Sequence, residues 1–306
     1  MNRSAPFVVL AIGVAIVSTA SILIRYAQAD GASSALIAAG RLGIAALVMA
    51  PLALSRAGPE LFRIRRRDLL LCATSGLLLA AHFWTWIASL EFTSVANSTV
   101  LVTTNPVWVA LLSAWLLHER PRSAQLAGIA LTLLGTVLIF LAETAHSTPK
   151  SAPMLGNFLA LAGALAASGY LLIGRGLRSN LSFLTYVWLT YSFAAVALIV
   201  AALVSGEAIR NASPTAWLLI AALAFGPQLL GHTAFNWALR RLSATFVAVS
   251  ILGEPIGSAL LAWWLLNEGF VTLQLAGFVA LLCGILVAAK AERGQPEETA
   301  APRPGD

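Results

Sequence analysis

Apolar residues along this chain gather into ten stretches of roughly 20 residues, separated by short polar connections. A hydrocarbon core about 30 Å thick is crossed by about 20 residues of helix rising 1.5 Å each. The pattern therefore predicts transmembrane helices over 7–26, 34–54, 69–90, 95–117, 124–143, 156–174, 183–203, 218–239, 244–266 and 273–290. Two connections are longer: the basic segment 55–68 and the segment 144–155 that joins the halves. Residues 291–306 are rich in Pro, Glu and Gly and read as a disordered tail. Residues 7–26 have the length of a signal peptide, but no small-residue cleavage site stands out and nine further spans follow. They read as a retained first helix.

The second half repeats the first at an offset of 149. Pro106 and Glu119 recur as Pro255 and Glu268, Trp115 as Trp264, and Gly135 as Gly284. Gln125-Leu126-Ala127-Gly128 recurs as Gln274-Leu275-Ala276-Gly277. Between Ser94 and Leu138, 16 of 45 positions match their ungapped counterparts. Each copy holds five spans, and copies with an odd number of spans inserted in sequence face opposite ways. The expectation is an all-α integral membrane protein of ten transmembrane helices, built as two inverted five-helix repeats over 1–148 and 149–290.

Composition agrees. Of 306 residues, 59% are apolar and 10% charged, with a mean hydropathy of +0.84. A soluble domain carries about 25% charged residues. Cys72 and Cys283 lie inside apolar runs and fit neither a disulfide framework nor a metal-binding spacing. The net charge of +6 comes mostly from loop arginines, which argues against a nucleic-acid partner. With the N-terminus placed in the cytoplasm, the cytoplasmic segments hold 15 of the 19 basic residues and the outer loops hold two, Lys150 and Arg210. Arg25 and Arg41 lie at the end of or within helices. That bias predicts both termini inside, in a multi-pass plasma membrane protein, and the Arg63–Arg67 cluster touches anionic lipid.

Polar groups at bilayer depth are the candidates for chemistry, against the alternative that they only join helices. Glu254 sits in mid-span beside Pro255 and suits a proton carrier, a cap for the broken backbone, or a partner for Arg41. Arg41 lies about 10 Å from the outer end of the second span. It is placed to hold an anionic group, neutralise Glu254, or snorkel outward. Pro106 and Pro255 predict kinks in symmetry-related helices, where freed carbonyls must face protein or a cavity. Asn105 stands where the second copy has Glu254, and Thr103 and Thr104 are near enough to line the same region or bond their own helix. Gln228, His232 and Asn236 recur at four-residue spacing, which places them on one helix face. His82 and Trp86 are four apart in the third span, with Ser89 close to the same face. Trp84, Trp237, Trp263 and Trp264 read as interfacial anchors or packing. Glu119 and Glu268 read as helix-end braces, and Gly128, Gly135, Gly277 and Gly284 as points of close helix contact.

The matched segments Asn105-Pro106…Trp115-Leu116-Leu117-His118-Glu119 and Glu254-Pro255…Trp264-Leu265-Leu266-Asn267-Glu268, each followed by Gln-Leu-Ala-Gly, resemble the drug/metabolite transporter superfamily, in particular its ten-helix EamA-type members. The resemblance covers roughly residues 5–290, and Arg41 in the second span fits it. It implies the fold and a transport function, since such proteins move amino acids, other small metabolites or drugs, often outward. Where the family typically places Glu before the first proline, this chain has Asn105, which leaves Glu254 as the single acid of the pair.

The resulting expectation is a secondary transporter exporting a small organic solute, with protons as a coupling partner. It needs no cofactor or metal and works as a monomer or homodimer in a bacterial inner membrane. The chain has no Gly-x-x-x-x-Gly-Lys-Ser/Thr motif for ATP. An intramembrane lipid-modifying enzyme, or a passive channel or scramblase, is the alternative; the enzyme would need acids, bases or metal ligands clustered near one interface, whereas His82, His232 and Glu254 read as scattered and His118 and His146 fall in or beside loops.

Overall fold

The computed structural model describes residues 5–93, 95–116, 123–144, 152–177, 180–204, 212–266 and 272–293. Among these every element is helical. The helices are α1 (Ala5–Val17), α2 (Ala20–Ala29), α3 (Ser34–Arg63), α4 (Arg66–Phe92), α5 (Val95–Val102), α6 (Asn105–Leu116), α7 (Ser123–Thr144), α8 (Pro153–Leu177), α9 (Phe183–Val204) and α10 (Pro214–Leu223), followed by the π-helical segment Ala224–His232 and then α11 (Thr233–Ala238), α12 (Ala244–Ile251), α13 (Glu254–Leu266) and α14 (Thr272–Arg293). Eight spans are long and apolar enough to cross a membrane: α1–α2, α3, α4, α8, α9, α10–α11, α12–α13 and α14. The broken pair α5–α6 and helix α7 contain the shorter apolar stretches Ser98–Leu112 and Ser123–Ile139 and complete the ten.

The largest departure from the hydropathy pattern is α3. It runs to Arg63, nine residues past the expected end, and leaves only Ile64 and Arg65 between it and α4. The extra turns are tied down. The Glu60 carboxylate accepts the Ser182 backbone N–H at 2.7 Å and the Thr185 hydroxyl at 2.5 Å, joining the end of α3 to the start of α9. Hydroxyl caps open several helices: Ser33 accepts from the Leu36 N–H, Ser182 from Thr185, Ser213 from Ala216 and Ser243 from Phe246. Ser33 and Ser182 are 149 apart, so the two copies begin their second spans with the same cap. The last helix continues through Arg293, and residues 294–306 lie outside the described ones, as do Glu119, Glu268, His118 and His146.

The inverted repeat is written in the contacts. A Cβ at Gly128 would meet the Gly284 carbonyl oxygen at 2.9 Å, and one at Gly135 would meet that of Gly277 at 2.5 Å. Moving up α7 from 128 to 135 means moving down α14 from 284 to 277, so the helices run antiparallel. The offset of 149 converts the first contact into the second, which is the signature of a two-fold axis relating the copies. The carbonyls before the two prolines behave alike. Ser168 donates to Asn105 O at 3.3 Å and Ser18 to Glu254 O at 3.3 Å, while each serine also donates to the carbonyl four residues back in its own helix.

These contacts also reveal an exchange. Helix α8, which opens the second copy, packs on α4, α5 and α6 of the first; α1 packs on the π-helical segment, α11, α12 and α13 of the second. Each sequence repeat therefore lends its first span to the other. Small residues permit this: at Gly13 a Cβ would meet the Gly231 carbonyl oxygen at 3.3 Å, and at Gly163 that of His82 at 3.4 Å.

The glycine contacts set an expected outcome. Gly135→Ala should destabilise by about 1–3 kcal/mol, because the backbone of α14 cannot give way as a side chain would. Gly43→Ala, whose nearest neighbour would be Ile199 Cδ1 at 3.9 Å, should be neutral or slightly stabilising. Thermal unfolding in detergent separates the two.

Candidate functional site

Two helix breaks at related positions create the site. The first lies at Thr103–Thr104, between α5 and α6, and the second at Leu252–Gly253, between α12 and α13. In each case a proline follows and removes a backbone donor, so the preceding turn loosens. Thr103 fills the gap from its own side chain, donating to Thr99 O at 2.7 Å and Val100 O at 3.0 Å, and Thr104 donates to Leu101 O at 2.7 Å. The second break has glycine and leucine where the first has threonines. Turn amides bond at three-residue spacing in both breaks: Thr104 N to Leu101 O at 3.2 Å in the first, and Leu252 N to Val249 O at 3.2 Å and Gly253 N to Ser250 O at 3.0 Å in the second.

Between the breaks lies a cavity lined by side chains of both repeats. Five of the side chains singled out from the sequence line it: His82, Trp86, Asn105, His232 and Glu254, so His82, His232 and Glu254, which read as scattered along the chain, are brought together by the fold. Thr103 joins them, so it both lines the cavity and bonds its own helix. His82 is fixed by a 3.0 Å bond between Nδ1 and Gly163 O, stacks on Trp86 at 6.0 Å between ring centroids with planes 10° apart, and faces His232 at 6.3 Å. The Glu254 Oε1, the Asn105 Oδ1 and the Trp86 Nε1 are buried with no hydrogen-bond partner among the described residues. Groups of this kind at bilayer depth are costly unless something else meets them.

Arg41 stands one ring behind the cavity wall. It is fully buried, which excludes the snorkelling alternative. Its Nε donates to Gln228 Oε1 at 2.8 Å, and its guanidinium carbon lies 4.0 Å from the centroid of Phe83, whose ring in turn meets His232 at 5.1 Å. Nη1 and Nη2 have no partner among the described residues, and neither does Gln228 Nε2. Arg41 and Glu254 are within electrostatic reach but make no direct bond.

Gln228, His232 and Asn236 each have a different partner. Pro227 stands inside the eighth span, and residues Ala224–His232 adopt π-helix, which widens each turn. Gln228 meets Arg41, His232 lines the cavity, and Asn236 donates to the Tyr170 hydroxyl and, at 3.1 Å, to His232 O. The Gln228 carbonyl accepts from Tyr191 and Thr233 at 3.4 and 3.3 Å. Sequence reading overlooked Tyr170, Phe235 and Val17, all of which line the cavity. Phe235 was findable, because it sits 149 residues after Trp86 and occupies the mirror position. Trp84, Trp263 and Trp264 are exposed on the outside of the bundle, and Trp237 lies under the Arg241 guanidinium at 3.9 Å, as expected of anchors and packing.

Comparison with known proteins fits this geometry. The sequence profile of the EamA-like transporter family matches residues 5–141 and again 154–289. Relatives include the uncharacterized transporter YyaM of Bacillus subtilis, 21% identical over 82% of this chain and 83% of its own. The uncharacterized transporter YcxC of the same organism is 25% identical over 73% of this chain and 74% of its own. An uncharacterized transporter of Archaeoglobus fulgidus is 28% identical over 64% and 66%. A solved crystal structure superposes with a TM-score of 0.75 at 20% identity, covering 94% of this chain and 99% of that one, which bears on the fold. Two family matches, one per repeat, span nearly the whole chain, and the chain belongs to the EamA-like transporter family.

Proposed function

We propose that this chain is a secondary transporter that exports a small organic solute by alternating access through the cavity between the two helix breaks, with protons moving in exchange on Glu254. The observation that carries the reading is the placement of the cavity. It lies where two symmetry-related spans are interrupted, and it gathers a carboxylate, an amide and aromatic rings that nothing else in the described structure satisfies. Discontinuous helices at bilayer depth are tolerated where they line such a space, and half-helix ends offer polar groups to a solute. The aromatic lining suits a solute with a flat apolar part.

The reading extends to placement in the membrane. The end bearing the Arg63–Arg67 cluster also carries the Glu60–Ser182, Asp68–Asn180 and Arg175–Leu239 contacts, so its basic connections cluster together. We place that end in the cytoplasm of a bacterial cell, with both termini inside, by the positive-inside rule. The repeats then divide at the 144–155 connection.

Counterflow in proteoliposomes tests transport: a preloaded solute should drive uphill uptake of its labelled form, and a channel would show none. Glu254→Gln should lower uptake driven by a pH gradient by roughly tenfold or more, about 1.4 kcal/mol, while counterflow without a gradient persists. Full gradient-driven uptake in a folded Glu254→Gln protein would make this carboxylate structural. Arg41→Ala should weaken an anionic solute by roughly tenfold or more through loss of a charge behind the wall, a Coulombic effect of about 2 kcal/mol at about 8 Å and an effective dielectric of about 20, and a neutral solute of the same body far less. Equal loss for both assigns Arg41 to packing.

A further inference from the structure

Two arginines that the repeat places at equivalent points are used unequally. The first span maps onto the sixth by an offset of 150, pairing Gly13 with Gly163, Ser18 with Ser168 and Asp30 with Asn180. All three pairs keep matching roles. The glycines meet the carbonyls of residues 231 and 82, themselves 149 apart, and the serines bond the carbonyls that precede the prolines. Asp30 accepts from Ser213 at the head of α10, and Asn180 donates to Asp68 at the head of α4. The same offset pairs Arg25 with Arg175.

Arg175 Nη1 donates to Leu239 O at 3.0 Å and to Leu242 O at 3.1 Å. These carbonyls close the C-terminal end of the eighth span, where the last turn lacks intrahelical donors and the helix dipole favours a cation. The bond also crosses between packing units. Arg175 rides on α8, which packs with α4, α5 and α6, whereas Leu239 and Leu242 belong with the unit built on α1. The repeat maps Leu239 and Leu242 onto Leu90 and Thr93, at the C-terminal end of α4 and the opposite end of the molecule. Arg25 rides on α2, is exposed, and makes no hydrogen bond, ion pair or ring contact with the described residues. The tie at that end is a neutral one, Gln28 Nε2 to Ile87 O at 3.1 Å.

We propose that Arg175 and Arg25 are alternating latches, one for each end of the cavity. In this structure the Arg175 end is latched. Inverted repeats reach the opposite-facing state when the two copies exchange conformations. In that state Arg25 caps the carbonyls of Leu90 and Thr93, and Arg175 lets go of Leu239 and Leu242. The assignment rests on the alternating-access reading. It adds the residues that set how long each end stays shut.

The test uses a cavity cysteine, Val17→Cys, with Cys72 and Cys283 replaced by Ser, in oriented proteoliposomes. A membrane-impermeant maleimide is applied from each side in turn. Arg175→Gln should raise labelling from the Arg175 end by roughly threefold or more, and Arg25→Gln should lower it by a similar factor. The double variant should fall between them, and Arg175→Lys should stay nearer wild type than Arg175→Gln. Arg25→Gln remains decisive if Arg175→Gln fails to fold, because Arg25 bonds nothing among the described residues in this state. An Arg25→Gln protein that labels like wild type from both sides, or that shifts the same way as Arg175→Gln, overturns the latches and leaves transport standing. A wild-type protein that labels from one side only and shows no counterflow overturns the alternating-access reading and the latches with it.

Discussion

A peptide group inside hydrocarbon has no water to fall back on, and that constraint organises this molecule. A helix can be interrupted at bilayer depth only where something else meets its exposed amides and carbonyls. Both proline breaks obey. Threonine hydroxyls mend the first from within, three-residue turns tighten both, and a serine from the other repeat's first span braces the carbonyl before each proline. The exchange of first spans between repeats is what brings those serines into reach. Without it each break would face lipid. With it the two breaks face one another across the cavity.

Charge follows the same logic with less symmetry. The two copies share their mid-span prolines, a serine cap and several glycines, but not the ionisable groups at the cavity: Glu254 has Asn105 as its mate, and His232 has Phe83. The Arg41 guanidinium is held by an amide and an aromatic face, with two nitrogens that have no partner among the described residues. A buried cation left in that condition is expensive. It lies beside a cavity that also holds a carboxylate oxygen with no partner among the described residues, and packing alone is served better by apolar side chains.

How much of this could be read from the chain follows from what each feature depends on. Span number and the inverted repeat were legible because hydropathy and the 149-residue offset are properties of linear order. The cavity residues His82, Trp86, Asn105, His232 and Glu254 were legible because a polar group in an apolar run is conspicuous. What escaped depends on three-dimensional context. The π-helical segment around Pro227 is one such feature, since a hydropathy pattern does not distinguish it from a regular helix. The continuation of α3 to Arg63 depends on Glu60 finding Ser182, a partner 122 residues away. Tyr170 is a cavity residue only because α8 crosses into the other copy.

The reciprocal glycine contact between α7 and α14 has a consequence for ancestry. Two unlinked five-span chains related by that two-fold axis would meet through these same glycines, so the contact has the symmetry of a homodimer interface. In a homodimer every substitution appears twice, and a lone arginine or a lone glutamate at the centre is impossible. Joining the genes lifted that rule, and the unequal chemistry of the two halves is what the fusion made available.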